Sequence, residues 1–223
     1  MKAIMAGIGF GHLLLLIGTV SLRGLERDTM WFSAYTGQVV LRCFYPSEYY
    51  HQRVARASLA SSILLARLAA AVGETCFILQ IAVRESESGF SRTAWTIVGC
   101  CAGAQVCATL ATVFKSRALF VLEGVLWTAI FASLFKAEAD RQSRGMAAAL
   151  ALLFMYMTTV YLPLTVKQWK YESALSGGSV SCALYRAAFQ VTVSDDVSFW
   201  KTEASWQVPY FVVGPVISFA LLH

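Results

Sequence analysis

Residues 58–83 read SLASSILLARLAAAVGETCFILQIAV, and this stretch decides the fold class. It is apolar over more than the roughly 20 residues that a helix needs to cross a bilayer. Two ionisable side chains, Arg67 and Glu74, interrupt it. Charged groups inside such a run are costly in lipid and usually face a neighbouring helix or a polar cavity. The stretch therefore predicts a membrane helix with one inward-facing stripe.

The composition of the whole chain agrees with this prediction. Of its 223 residues, 57% are hydrophobic and 14% are charged, against a charged share of about 25% in soluble domains. The net charge is +5. Most Lys and Arg residues lie between apolar runs, where they orient a membrane protein, and no basic stripe with interleaved aromatic residues indicates nucleic-acid binding.

Apolar runs predict an all-α, polytopic transmembrane helix bundle with six spans, or seven if Met30–Tyr45 also crosses. Met30–Tyr45 is too short for a full span, and we interpret it as an interfacial or re-entrant helix that ends at Pro46. The first run, behind Lys2, shares features with a signal peptide, but we expect it to be a membrane helix. The six predicted spans are Ala3–Val20, Ser58–Val83, Trp95–Phe114, Ala118–Phe135, Gly145–Val166 and Trp206–Leu222.

The spans form one predicted transmembrane domain, residues 1–223. With six spans, the side opposite the termini carries more Lys and Arg, so the positive-inside rule makes it the cytoplasmic side. Residues 21–57 and 167–205 are then cytoplasmic-side loops with interfacial segments. The predicted location is an integral, multi-pass membrane protein, and the sequence does not identify the membrane.

Polar side chains inside the predicted spans are the candidate site. At about 1.5 Å per helical residue, Arg67 and Glu123 reach similar depths, which predicts an ion pair between helices. Arg67 and Glu74, two turns apart, are expected to lie too far apart to pair directly without a partner or water. Glu74, His12, Gln105 and Tyr156 lie at similar depths, roughly 13–17 Å from the side that holds the termini, and are expected to form one polar layer. The candidate intramembrane residues are Glu74, Arg67, Glu123, His12, Gln105 and Tyr156.

Other motifs favour packing over chemistry. The spacings Gly7-x-x-x-Gly11 and Gly99-x-x-x-Gly103 let helices approach closely. The cysteines are interpreted as small buried hydrophobic residues, because no C-x-x-C pair occurs and histidines are few. We expect no metal site and no cofactor, and the catalytic residues, if the chain is an enzyme, are unknown.

The chain also resembles an uncharacterised family of polytopic membrane proteins from Val39 to Leu221. The resemblance implies that Arg67, Glu74 and Glu123 form one site, but it brings no chemistry. The family pattern has an acid where this chain has Tyr161, so a role for that acid is in doubt here. The similar positions are Arg42-Cys43-Phe44-Tyr45-Pro46, Arg53, Ala66-Arg67, Gly73-Glu74-Thr75-Cys76-Phe77, Gln80, Glu123, Leu126-Trp127, Thr159-Val160, Pro163, Trp169, Trp200, Glu203, Trp206, Tyr210 and Phe211.

Three functions stay open at this point. The favoured hypothesis is a proton, ion or small-solute pathway through the polar layer. The second is a membrane-embedded enzyme in which Glu74 or Glu123 acts as acid or base on a lipid or isoprenoid. The third is an accessory subunit whose charges only fix helix packing. The expected partners are membrane lipid and, for the third hypothesis, other membrane subunits, with no nucleic acid.

Overall fold

A computed structural model gives the fold, and it describes residues 2–84, 92–140, 144–171 and 179–222. Helices dominate these ranges, which confirms the predicted all-α class. A 3-10 turn at Leu59–Ser61 precedes α3, and a π-helical segment at Met157–Tyr161 joins α6 to α7. The elements are α1 Lys2–Arg23, α2 Arg27–Phe44, β1 Ser47–Glu48, β2 Arg53–Val54, α3 Ile63–Arg84, α4 Arg92–Phe114, α5 Arg117–Asp140, α6 Arg144–Tyr156, α7 Leu162–Tyr171, α8 Val180–Phe189, β3 Thr192–Val193 and α9 Val197–Ala220.

Five helical stretches in the described ranges are long and apolar enough to cross a membrane, and they coincide with the first five predicted spans. The sixth predicted span, Trp206–Leu222, lies mostly within α9, which is 24 residues long and is not one of these five stretches. Six spans therefore stay a prediction. The five stretches are Ala3–Arg23, Ile63–Val83, Arg92–Phe114, Arg117–Ala137 and Gly145–Lys167.

The chain divides into two compact units, which are described separately. Unit 1 comprises Met1–Gln80 and Gly177–His223, and unit 2 comprises Ile81–Ser176. In unit 1, α1 packs on α2, and both contact α9. In unit 2, α5 packs against α4, α6 and α7. The predicted single transmembrane domain and the side of each loop stay predictions.

The α2 helix occupies the segment predicted to be an interfacial or re-entrant helix. It is 18 residues long, and its side chains at three- and four-residue spacings form one buried face, on which Phe32, Tyr35 and Val39 are almost completely covered. It ends just before Pro46, because the residue that precedes a proline disfavours helical backbone. The helix is confirmed, and its depth in a membrane stays a prediction.

A small sheet joins the two segments that were predicted to be loops. Strand β1 pairs antiparallel with β2, and β2 pairs parallel with β3. The turn between β1 and β2 is held by Glu48, whose carboxylate accepts the backbone N–H groups of Tyr50 and His51, each at 2.8 Å. Of the predicted 167–205 loop, residues 172–178 lie outside the described residues, and the rest includes α8 and the start of α9.

Candidate functional site

The centre of unit 1 holds a buried ion pair on α3. Arg67 Nη2 lies 3.0 Å from Glu74 Oε2, and the two residues are 3% and 6% exposed. The expectation that they lie too far apart to pair directly was wrong. Residues seven apart share one helix stripe, and the Cβ of Glu74 leans toward the N-terminus, where Arg67 lies. The long arginine side chain spans the remaining distance.

A hydrogen bond joins Glu74 to α9. Tyr210, on α9, donates its hydroxyl to Glu74 Oε1 at 2.6 Å. Tyr35, on α2, lies close enough to Glu74 and Tyr210 to interact with both electrostatically. The bonded sequence Tyr210–Glu74–Arg67 therefore links α9 to α3, and the Tyr35 side chain of α2 lies next to it.

Two glycines allow these helices to approach closely. A Cβ at Gly214 of α9 would overlap the hydroxyl and ring of Tyr35, and a Cβ at Gly73 of α3 would overlap the side chain of Gln38 on α2. Tyr35 also stacks on Phe77 of α3, with ring centroids 4.7 Å apart. The buried face of α2 thus fits against two neighbours only where they lack side chains.

Arg42 lies one helical turn after Gln38, on the same face of α2. It is 3% exposed, and its guanidinium carbon lies 5.1 Å from the ring centre of Tyr49, 5.7 Å from that of Tyr210 and 4.8 Å from that of Phe211. Such contacts between a cation and aromatic faces are favourable, above all where both are removed from water. The Tyr49 ring also lies 5.6 Å from the Arg67 guanidinium, so two arginines flank one aromatic ring.

His12 joins α1 to α9 at a carbonyl that a proline releases. Its Nε2 lies 2.8 Å from the carbonyl oxygen of Phe211, which requires the tautomer with hydrogen on Nε2. Pro215 has no N–H, so it cannot give Phe211 the usual bond from four residues on. His12 supplies the missing donor. This agrees with a structural role for His12 and shows how α9 tolerates one of its two prolines.

A second polar contact fixes α3 to α9 at the end of unit 1. Gln80 donates its amide to the carbonyl oxygen of Ser218 at 3.0 Å, and the Ser218 hydroxyl donates to the Gln80 amide oxygen at 2.6 Å. Both side chains are buried. The reciprocal bonds satisfy both polar groups. This contact therefore stabilises the helix pair, and neither group is left to bind or transfer anything.

Unit 2 holds the other predicted carboxyl group. Glu123, on α5, accepts a hydrogen bond of 3.3 Å from the Tyr161 hydroxyl. Tyr161 ends the π-helical segment, a distortion that is frequent at functional sites. Gln105 and Tyr156 also belong to unit 2. The pairing of Glu123 with Arg67, and the convergence of Gln105 and Tyr156 with Glu74 and His12, stay predictions.

Four residues around the ion pair were absent from the predicted site: Tyr35, Gln38, Arg42 and Tyr210. The α2 residues lay in a segment too short for a span, and Arg42 was counted as a loop charge. The available signal was their spacing, because residues 35, 38 or 39, and 42 fall on one helix face. The family resemblance included Arg42 and Tyr210 but gave them no role.

Comparisons with family models, curated proteins and solved structures find no match. The fold and the site therefore define a class only. Five apolar helices of spanning length support a polytopic α-helical membrane protein. Within it, unit 1 carries a cluster of the buried residues Tyr35, Arg42, Arg67 and Glu74 with the half-buried Tyr210, which is called the unit 1 cluster below.

Proposed function

We propose that the chain provides a membrane pathway in which a proton passes through Glu74. The observation that carries the proposal is the bonded sequence Tyr210–Glu74–Arg67, in which Glu74 and Arg67 are buried and Tyr210 is half-buried. Ionisable groups are retained inside membrane helices mainly where they serve proton or solute movement or pair with one another. Here the carboxyl is paired, and it also accepts a hydrogen bond from a hydroxyl group that can relay a proton.

The direction of the hydrogen bond suggests how the relay works. Tyr210 donates to Glu74. Tyr210 can thus pass its hydroxyl proton to the Glu74 carboxylate and take up another proton in its place. Protonation of Glu74 then removes the negative charge that Arg67 faces. The ion pair weakens, and since Tyr210 lies on α9, the contact between α3 and α9 changes with it.

The enzyme hypothesis requires an apolar pocket with a carboxyl group at its end. An apolar groove does lie between α1 and α9, lined by Leu14, Leu15, Gly18, Thr19, Leu22, Arg23 and Phe219. Its lining contains neither Glu74 nor Glu123. This groove therefore gives no support to acid or base catalysis by either residue, and we favour the proton pathway.

Proton flux into liposomes tests the proposal. The purified chain is reconstituted with a pH-sensitive dye inside, and the potential is clamped with potassium and valinomycin. We expect wild-type flux above that of protein-free liposomes and a loss of at least about tenfold in Glu74→Gln, because an amide cannot take up the proton. Tyr210→Phe keeps the ring, removes the relay hydroxyl, and should lower the flux by a similar or smaller factor.

Glu26→Gln is the matched control, because it makes the same chemical change at an exposed carboxylate of unit 1. It should conduct like the wild type. The size and helix content of each variant are checked before reconstitution. A wild type that conducts no better than empty liposomes, or a folded Glu74→Gln variant with unchanged flux, would contradict the proposal.

A further inference from the structure

Arg42 is a buried cation whose hydrogen-bonding groups find no acceptor. Among the described residues, its guanidinium makes no hydrogen bond and no ion pair, and its contacts are the faces of Tyr49, Tyr210 and Phe211. A guanidinium that lies over aromatic rings still presents its N–H groups in its own plane, in a fork that matches a carboxylate or a phosphate. That fork is unused in the structure.

The carboxylates of unit 1 do not account for this charge. Glu74 lies near Arg42 but is held by Arg67 and Tyr210. Glu48, the other buried acid of unit 1, is held by backbone N–H groups and by His51. Arg67 is itself one of the charges near Arg42. Burial of a cation without a counter-charge is strongly unfavourable.

The C-terminal position of Arg42 on α2 offers a partial explanation. Arg42 lies in the last turn, where the partial negative charge of the helix end favours a cation. That effect is strongest when the side chain bonds the last carbonyl groups, and Arg42 makes no such bond within the described residues. The helix end therefore does not explain why the guanidinium N–H groups stay unused.

Gln38 supplies a second, independent observation. It lies four residues before Arg42, on the same side of α2, and it is 4% exposed. Neither its amide nitrogen nor its amide oxygen has a hydrogen-bond partner. Buried amide groups are nearly always satisfied, so two unsatisfied atoms on one side chain call for a missing partner.

We infer that Arg42 and Gln38 form a binding site for the oxyanion group of a small solute or a lipid, a carboxylate or a phosphate. The guanidinium fork binds two oxygens of the anion, and the Gln38 amide donates a further hydrogen bond. The site adjoins Glu74 through Tyr210, which contacts both Arg42 and Glu74. The inference rests on the proposed function: the anion is the group that moves together with the proton.

Binding is measured on the full chain in nanodiscs of phosphatidylcholine, from the rise in unfolding temperature as probe anions are added. The probes are inorganic phosphate and acetate, at a fixed ionic strength set with potassium chloride. A ligand that binds only the folded state raises stability in a saturable way. A second set of nanodiscs contains phosphatidylglycerol and no added probe, and it tests whether the phosphate of an anionic lipid, without the choline cation, is the ligand.

The expected result is a saturable shift with a soluble probe or with the anionic lipid. Arg42→Gln should weaken the binding by at least about tenfold, because hydrogen bonds to a charged group are lost. Arg42→Lys keeps the charge without the fork and should show an intermediate loss. Gln38→Leu should weaken binding roughly threefold to tenfold.

Arg27→Gln is the matched control, because Arg27 is on the same helix but is exposed and contacts Asp28. It should bind like the wild type. If neither the probes nor phosphatidylglycerol stabilise the wild type, or if the Arg42 and Gln38 variants all bind like the wild type, the inference is overturned. Glu74→Gln, which stops proton flux, should retain anion binding, so failure of the anion site and failure of the proton pathway give different results.

Discussion

Glu74 in unit 1 and Glu123 in unit 2 are buried to nearly the same degree, 6% and 7% exposed, on helices of similar character. Each accepts a hydrogen bond from a tyrosine, at 2.6 Å for Glu74 and 3.3 Å for Glu123. Glu74 also forms an ion pair with Arg67, and Arg42 lies nearby. Burial alone therefore does not distinguish the two sites. The charged neighbour of Glu74, Arg67, lies on the same helix.

The same substitution at both sites should give the largest difference in stability between Glu74 and Glu123. Glu74→Gln leaves the buried Arg67 without its counter-charge, and we expect the free energy of unfolding to fall by about 3–5 kcal/mol. Glu123→Gln keeps an oxygen that can accept from Tyr161, and we expect a loss of about 1 kcal/mol. Equilibrium unfolding in mixed micelles, followed by tryptophan fluorescence, measures both.

The double variant Arg67→Met with Glu74→Gln is the control for this prediction. Replacement of both partners removes the uncompensated charge, so much of the lost stability should return. An equal loss of stability in the Glu74→Gln and Glu123→Gln variants would show that the ion pair contributes nothing beyond burial. The two carboxyl groups would then be equivalent structural features.

Sequence patterns predicted where the apolar helices lie better than they predicted the contacts between these helices. The runs at Ala3–Val20 and Ser58–Val83 correspond to α1 and α3, because length and hydropathy are local properties. Ser58–Leu59 nevertheless precede α3, since the Ser58 side chain caps a separate 3-10 turn. Boundaries depend on such caps, which apolar content does not show.

The cluster was less predictable, because it depends on contacts between helices. Arg67 and Glu74 were identified from their cost in lipid, but they were expected to lie too far apart to pair directly, and the structure pairs them. The difference in depth between two residues does not show how far a long side chain reaches along one face of a helix. Tyr210 and Tyr35 carry no charge, so their cost in lipid does not mark them, and only the packing of α2 and α9 identifies them.

Glycine substitutions compare how tightly the helices pack in the two units. Gly214→Ala places a methyl group on Tyr35, which is 2% exposed, so we expect a loss of about 2–3 kcal/mol. Gly124→Ala in unit 2 approaches the Tyr161 ring at 3.1 Å, a contact that a small shift relieves, and should cost at most about 1 kcal/mol. Thermal unfolding in nanodiscs measures both.

Gly7→Ala is the control for the glycine pair, because no atom lies within 4 Å of a Cβ built at Gly7. It should be neutral or slightly stabilising, since alanine favours helix by about 1 kcal/mol over glycine. The comparison fails if Gly124→Ala destabilises the protein as much as Gly214→Ala. The tight packing would then belong equally to both units.

The smallest expected effect concerns His12 and Pro215, and it tests whether the histidine serves packing in unit 1 and not the proton pathway. His12→Ala leaves the Phe211 carbonyl without a donor and should cost about 1–2 kcal/mol. In a Pro215→Ala background, the new N–H of residue 215 can bond that carbonyl, so the same change should cost less. A double-mutant cycle should therefore give a coupling energy of about 1 kcal/mol.

Pro209→Ala provides the matched cycle, because Pro209 releases the carbonyl of Ser205 and not that of Phe211. Its coupling to His12 should lie close to zero. If His12 couples equally to both prolines, the bond to Phe211 does not depend on the missing N–H of Pro215. If His12→Ala instead lowers proton flux as strongly as Glu74→Gln while leaving stability unchanged, His12 belongs to the relay, and the pathway of unit 1 extends from α3 and α9 to α1.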